Sequence, residues 1–177
     1  HRCRMKILIL EDEDNKYEQI HEIVERSLNA MSLDITRCTD LNSAMVKIGG
    51  GTYDLFIADL VVPQMPGGVE VDGTEQLCAI LEAEPVARLP LWVVISRFGN
   101  ALSGAKESFA HHGVTILDYR FDEQWRVGLE IKLNSIAGAT HYDFAIFCEL
   151  EKERAAFVHA KGVVLGDLFS AGGLNCQ

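Results

Sequence analysis

Cysteine pairs, long apolar runs and positive charge are all scarce in this chain. Its five cysteines (Cys3, Cys38, Cys78, Cys148 and Cys176) are odd in number and scattered, with no C-x-x-C pair and no metal-ligand spacing. They read as reduced thiols in a cytoplasm. No apolar run approaches the about 20 residues that a bilayer span requires. The N-terminus lacks the basic segment and apolar stretch of a signal peptide, so the chain is expected to be soluble and unexported. Lys and Arg number 16 against 26 Asp and Glu, a net charge of −10, with a pI near 5.0. Such a surface repels phosphate backbones and anionic lipid heads, which argues against nucleic-acid and membrane-surface roles and favours metal ions and cationic partners. No repeat of solenoid or propeller period and no low-complexity segment is visible. The run Gly49-Gly50-Gly51 precedes a strand and does not follow one, so it fails the context of a phosphate cradle and reads as a turn. What remains is ordinary: 177 residues, 48% hydrophobic and 24% charged, enough for one domain with a buried core plus an appendage.

Short apolar runs alternate with segments of helical period, the signature of β-α units around a parallel sheet. Lys6 to Leu10 is nearly all apolar, as a strand covered on both faces must be. From Asn15, a plausible N-cap, to Met31, residues Tyr17, Ile20, Ile23, Val24, Leu28 and Met31 give one apolar helix face. Leu33 to Cys38 is a less apolar strand expected near an edge. A helix from Leu41 to Ile48 follows, capped by Asp40 and stopped at Gly49–Gly51. Leu55 to Ala58 is the third strand, ending on Asp59. A loop from Leu60 to Asp72 with Pro63, Pro66, Gly67 and Gly68 leads to a helix over Gly73–Glu84. Leu91–Ile95, Ala101–His112, Val114–Leu117 and Glu123–Ile136 complete the order strand, helix, strand, helix, with Gly113 after the first of these helices. The fold class is α/β: a (βα)5 doubly wound, five-stranded parallel sheet with an additional C-terminal helical segment, Asp143 to Lys161. His1 to Arg4, ahead of Met5, read as extraneous to the native chain and are set aside from the fold. The expected division is 5–138 as one domain and 139–177 as an appended helix and Gly-rich tail. Trp92, Trp125, Phe109 and Phe56 are read as core.

In an open parallel sheet ligands bind beyond the carboxyl ends of the strands, so the residues that follow each strand carry the chemistry. Glu11-Asp12-Glu13-Asp14 follow the first strand, Asp59 the third, Ser96 the fourth, and Asp118, Tyr119 and Arg120 the fifth. Crowded carboxylates persist when a cation neutralises them, when one is protonated, or when they splay into solvent. Oxygen ligands suit a hard divalent ion, Mg²⁺ first. With its charge so absorbed, an Asp59 carboxylate could attack phosphorus and form an aspartyl phosphate, with Ser96 and Arg120 pairing with phosphoryl oxygens.

The strings I-L-I-L-E-D-E at 7–13 and D-L-F-I-A-D-L-V-V-P at 54–63, the hydroxyl after the fourth strand and the basic residue after the fifth resemble the receiver domain of bacterial response regulators. The likeness spans Lys6 to Ile136. It implies the flavodoxin-like receiver topology, Glu11 and Asp12 as the acidic pair that holds Mg²⁺ together with Asp59, and Asp59 as phosphoacceptor. Ser96 matches the family's Ser/Thr position. Arg120 stands where the family has lysine, and Phe121 follows it in place of proline. Gln64 to Val71 enlarge the loop after Asp59, and Leu117 falls at the family's aromatic switch position.

The resemblance implies a cytoplasmic signalling module of a two-component phosphorelay. A histidine kinase or phosphotransfer protein would phosphorylate Asp59, and a partner surface around Phe98–His112 and the tail would switch toward a downstream effector, a fused output domain or a second copy of the chain. Its catalysis would be at most Mg²⁺-dependent self-phosphorylation and dephosphorylation. A receiver-like interaction domain that never turns over phosphate is the alternative from another class. A phosphohydrolase with an Asp nucleophile is weaker, because Val61 stands where such enzymes carry a second acid. An FMN-binding module is weaker still, because the acidic first loop would repel its phosphate. No DNA-binding helix pair is evident in the tail.

Overall fold

In the computed structural model the residues described are 4–50, 52–83, 90–97, 102–119 and 123–152. Among these residues seven strands and five helices follow one another as β1 (Arg4–Leu10), α1 (Asp14–Ser27), β2 (Ser32–Cys38), α2 (Leu41–Gly50), β3 (Leu55–Ala58), β4 (Val61–Pro63), β5 (Glu70–Asp72), α3 (Thr74–Ala83), β6 (Leu91–Ser96), α4 (Leu102–His111), β7 (Thr115–Asp118) and α5 (Gln124–Lys152). The main sheet has the order β2-β1-β3-β6-β7, and every pairing in it is parallel. This is the doubly wound sheet expected from the alternation of apolar runs and helical segments.

Strand burial follows position in the sheet. All of β3 is buried, as is β6 after its first residue, whereas β2 and β7 are mostly half-buried edges. Alternate residues serve opposite faces. Leu8, Leu10, Phe56, Ala58, Trp92 and Val94 pack with Leu41 and Ala44 of α2, Leu77 and Leu81 of α3, and Phe109 of α4. Ile7, Ile9, Leu55, Ile57, Val93 and Ile95 pack with Ile20, Ile23 and Val24 of α1 and Trp125, Leu129, Leu133 and Ile136 of α5. Phe56 and Trp92 meet edge to face, 4.7 Å between ring centroids. With β2 on one side of β1 and β6 on the far side of β3, the winding reverses between β1 and β3, the point beyond whose carboxyl ends open sheets of this kind bind ligands.

Several local expectations change. Arg4 is part of β1, opposite Ser32 and paired with Asp34 at 2.7 Å. The N-cap of α1 is Glu13, and Asn15 lies within the first turn. Asp40 caps α2 as expected, its Oδ1 accepting from Ser43 N at 2.9 Å. However, α2 runs through Gly49 to Gly50; Gly51 lies outside the described residues. Gly113 ends α4 at a φ of 69°, with Val114 N donating to Phe109 O at 2.9 Å. The loop after Asp59 contains an antiparallel hairpin, β4 against β5, with Val62 opposite Val71. In the sequence, Pro63 and the glycines are loop signals. The proline is tolerated because a two-stranded ribbon leaves it an unpaired side, and Val62 is fully buried in the α2/α3 core. Finally, α5 continues through Gly138 to Lys152 in one helix. A helix-interior glycine costs about 1 kcal/mol against alanine, too little to force a stop. The helix expected from Asp143 is thus, as far as Lys152, a continuation of α5. Among the described residues no helix is long and apolar enough to cross a membrane.

Candidate functional site

Parallel pairing brings the ends of β1 and β3 level, because Leu10 lies opposite Ala58. The residues that follow, Glu11 and Asp59, therefore leave the sheet side by side. Asp59 N donates to Leu10 O at 2.9 Å, and Glu11 N to Cys38 O at 2.9 Å. Ser96 ends β6 and is fully buried. Its hydroxyl donates to Asp59 Oδ1 at 2.5 Å, and the same carboxylate oxygen accepts from Val61 N at 3.0 Å. Glu11, Asp59 and Ser96 thus converge as the strand ends predicted. Asp12 stands beside them, half-buried. Arg120 lies outside the described residues, as does Phe121.

Lys16 was missed. It stands in the first turn of α1, four residues before Ile20, on the face that carries Ile20, Ile23 and Val24 into the core. Its side chain is 2% exposed, and its ammonium lies between the two carboxylates. Nζ is 2.7 Å from Glu11 Oε2 and donates to Asp59 Oδ2. Glu11 Oε1 accepts from Glu13 N at 3.0 Å. Tyr119, just after β7, closes the other side: its ring centroid is 4.7 Å from Lys16 Nζ, and the ring packs against Trp125 at 5.2 Å. The signal that could have found Lys16 was its place on the apolar stripe, i−4 from Ile20. A lysine there either snorkels out or is drawn to a buried anion.

Arg37, near the end of β2, was missed as well. Its guanidinium donates to Glu11 O at 3.0 Å and Asp12 O at 3.1 Å, pairs with Asp14 at 2.8 Å, and stacks over Tyr17 at 4.3 Å. The acidic loop is therefore held in shape by a neighbouring strand.

Burial pushes the Glu11 carboxyl up to about 7, against the attraction of Lys16 and with the help of repulsion from Asp59. For Lys16, burial alone would lower the pKa. The charges of Asp59 and Glu11 outweigh it, and the net displacement is upward. Lys16 is thus firmly charged, and Glu11 is the group that gains or loses a proton near neutrality.

A divalent ion shared by Glu11, Asp12 and Asp59 would need free carboxylate oxygens at one point. Here the point between Glu11 Oε2 and Asp59 Oδ2 holds an ammonium. Asp59 Oδ1 is engaged by Ser96 and Val61 N. Among the described residues no three Asp, Glu, His or Cys side chains stand together as a metal site. As arranged, these residues do not fit Mg²⁺.

No family model and no curated protein matches the sequence. Solved structures do match it. A response regulator receiver domain protein from Clostridium thermocellum is 16% identical, with a TM-score of 0.55 over 78% of this chain and 98% of that one. A CheY-like receiver domain from Methylobacillus flagellatus is 22% identical, with a TM-score of 0.52 over 73% and 98%. The signal receiver domain of an HD domain-containing protein from Pseudomonas fluorescens Pf-5 is 15% identical, with a TM-score of 0.51 over 77% and 98%. The chain has the receiver fold, the flavodoxin-like topology that the sequence resemblance implied.

Proposed function

We propose that this chain is a signalling module of the receiver type, with Asp59 as the acceptor of a phosphoryl group from a phosphohistidine on a kinase or phosphotransfer protein. One observation carries the reading: Asp59 stands at the switch point of the sheet with Ser96 on one carboxylate oxygen and Lys16 on the other. Oδ2, with Lys16 as its protein partner, keeps a lone pair for attack on phosphorus. A P–O bond forms and the P–N bond breaks. The leaving imidazole takes that electron pair and departs neutral once its other nitrogen carries a proton. Lys16 and Ser96 then have donors for the phosphoryl oxygens that Asp59 acquires, and charge stabilisation of this kind is most of what phosphoryl transfer needs from a protein. The family resemblance implies Arg120, which lies outside the described residues, as a further cation. The Mg²⁺ that the family resemblance implies at Glu11, Asp12 and Asp59 would require Lys16 to withdraw from between Glu11 and Asp59.

The new charge biases a two-state surface, for which α4, β7 and the segment 139–177 are the candidate faces toward an effector, a fused output domain or a second copy. Of the Phe98–His112 segment, residues 98–101 lie outside the described residues, as do 153–177 of the tail. A second reading is favoured by the engagement of both Asp59 oxygens: an interaction domain whose site is a closed ion-pair network and never carries phosphate. Acetyl phosphate separates the two. Incubation followed by intact-mass measurement is expected to add one phosphoryl group to the native chain and none to Asp59→Asn. No Asp59-dependent adduct with either acetyl phosphate or phosphoramidate would leave the interaction domain.

A further inference from the structure

We infer that Lys16 is the resident cation of this site: its ammonium takes the place between Glu11 and Asp59 that a divalent ion would need, and the site is built to work without Mg²⁺. The inference concerns the same residues as the phosphorylation reading but is read out by metal binding, so either can fail alone.

Three observations carry it. The first is position. Nζ is within ion-pair distance of one oxygen from each carboxylate, so a divalent ion bridging those oxygens would stand almost on top of a positive charge. Like charges so close cannot share the pocket, and the ion would have to expel the lysine. The second is confinement. Lys16 is 1% exposed, and its backbone lies on the α1 face packed into the core with Ile20, Ile23 and Val24. A surface lysine could swing aside at little cost. This one would have to pass the Tyr119 ring that covers Nζ, leaving a gap under α1. The third is the shape of the acidic loop. Arg37 donates to the main-chain oxygens of Glu11 and Asp12, so the loop is positioned by protein donors and has no need of an ion to gather it. An ammonium is a compact point charge with three donors, which suits a position shared by two carboxylates.

The test uses the full chain and two metals. Mn²⁺ is titrated into the native protein while the amide signals of Glu11, Asp12 and Asp59 are followed by NMR. Calorimetry with Mg²⁺ is run in parallel on the native protein and on Lys16→Met. The native protein is expected to show no saturable broadening at those amides and no heat of binding. Lys16→Met is expected to gain a saturable Mg²⁺ site, with a melting temperature that rises with Mg²⁺, and Glu11→Gln in that background is expected to remove it. Saturable Mn²⁺ broadening centred on Asp59 in the native protein overturns the inference, and needs no variant that folds. So does a Lys16→Met protein that folds and binds Mg²⁺ no better than the native chain, because Lys16 would then not be what keeps the ion out.

Discussion

Replacing Lys16 with methionine isolates what the buried ammonium contributes. Methionine keeps much of the volume of the lysine stem, so the packing loss is small, under about 1.5 kcal/mol. The charge loss is not. Two carboxylates remain, their side chains 1% and 12% exposed, and stripping one partner from a buried pair costs about 3–5 kcal/mol. Glu11 is the escape route, since it can take up a proton. Burial already holds its pKa at about 7 against an ordinary 4.5, and without the lowering influence of Lys16 it rises further. A carboxyl whose folded-state pKa is raised contributes stability that is present below its unfolded pKa and is lost as pH rises through the folded value. The native protein should therefore lose about 2 kcal/mol from Glu11 between about pH 5.5 and neutrality, and level off above that. Lys16→Met should continue downward at about 1.4 kcal/mol per pH unit past neutrality, so the gap between the two proteins widens with pH. Urea unfolding followed by tryptophan fluorescence at about pH 5.5 and about pH 8 measures both slopes. Glu11→Gln in the Lys16→Met background should recover most of the loss at the higher pH. A gap below about 1 kcal/mol at pH 8, or one that stays constant with pH, would refute the assignment of Lys16 as the charge that holds this site together.

Other consequences are more local. Phe56 is fully buried and packed edge to face against Trp92, so Phe56→Ala should lower unfolding free energy by about 3–5 kcal/mol in the same urea assay, and a loss under about 1 kcal/mol would mean that this face of the sheet is not close-packed. Gly113 sits at a φ of 69° with open space around its Cα; Gly113→Ala should cost about 1 kcal/mol from backbone strain alone, and Gly113→Asn less, which thermal melts can rank. Burial raises the thiol pKa of both Cys38 and Cys78, so their alkylation at neutral pH should be slow and should accelerate as pH climbs toward the raised values. Cys38, 4% exposed, should lag behind Cys78 in peptide-mapped iodoacetamide labelling, and equal rates would contradict the burial of β2's last residue.

Much of the architecture was legible in the sequence because it depends on short-range pattern. A nearly all-apolar K-I-L-I-L segment has nowhere to go but the middle of a sheet. The stripe from Tyr17 to Met31 specifies which side of α1 faces inward, and Gly113 and Asp40 mark helix ends through their own backbone and side-chain chemistry. The strand ends Glu11, Asp59 and Ser96 could be named for the same reason, since a parallel sheet delivers its carboxyl ends to one edge. The hairpin of β4 and β5 could not. Its three-residue strands carry no measurable period, and it is stabilised by burial of Val62 against α2 and α3, which are distant in sequence. Nor could the continuity of α5 past Gly138, where a weak local stop signal was overridden.

The sequence by itself determined the alternation of strands and helices, the inward face of α1 and the meeting of Glu11 with Asp59 and Ser96, because each follows from periodicity and from where a strand of a parallel sheet ends. Only the tertiary structure decided how that meeting is neutralised. Lysine is ordinarily a surface residue, and nothing local distinguishes Lys16 from one whose ammonium reaches solvent. Its fate depends on two carboxylates delivered by β1 and β3, on a tyrosine after β7 that covers it, and on an arginine from β2 that sets the acidic loop. Charge pairing in a desolvated pocket is a sum over residues that only folding brings within a few ångströms of one another, and the local pattern of a chain does not contain it.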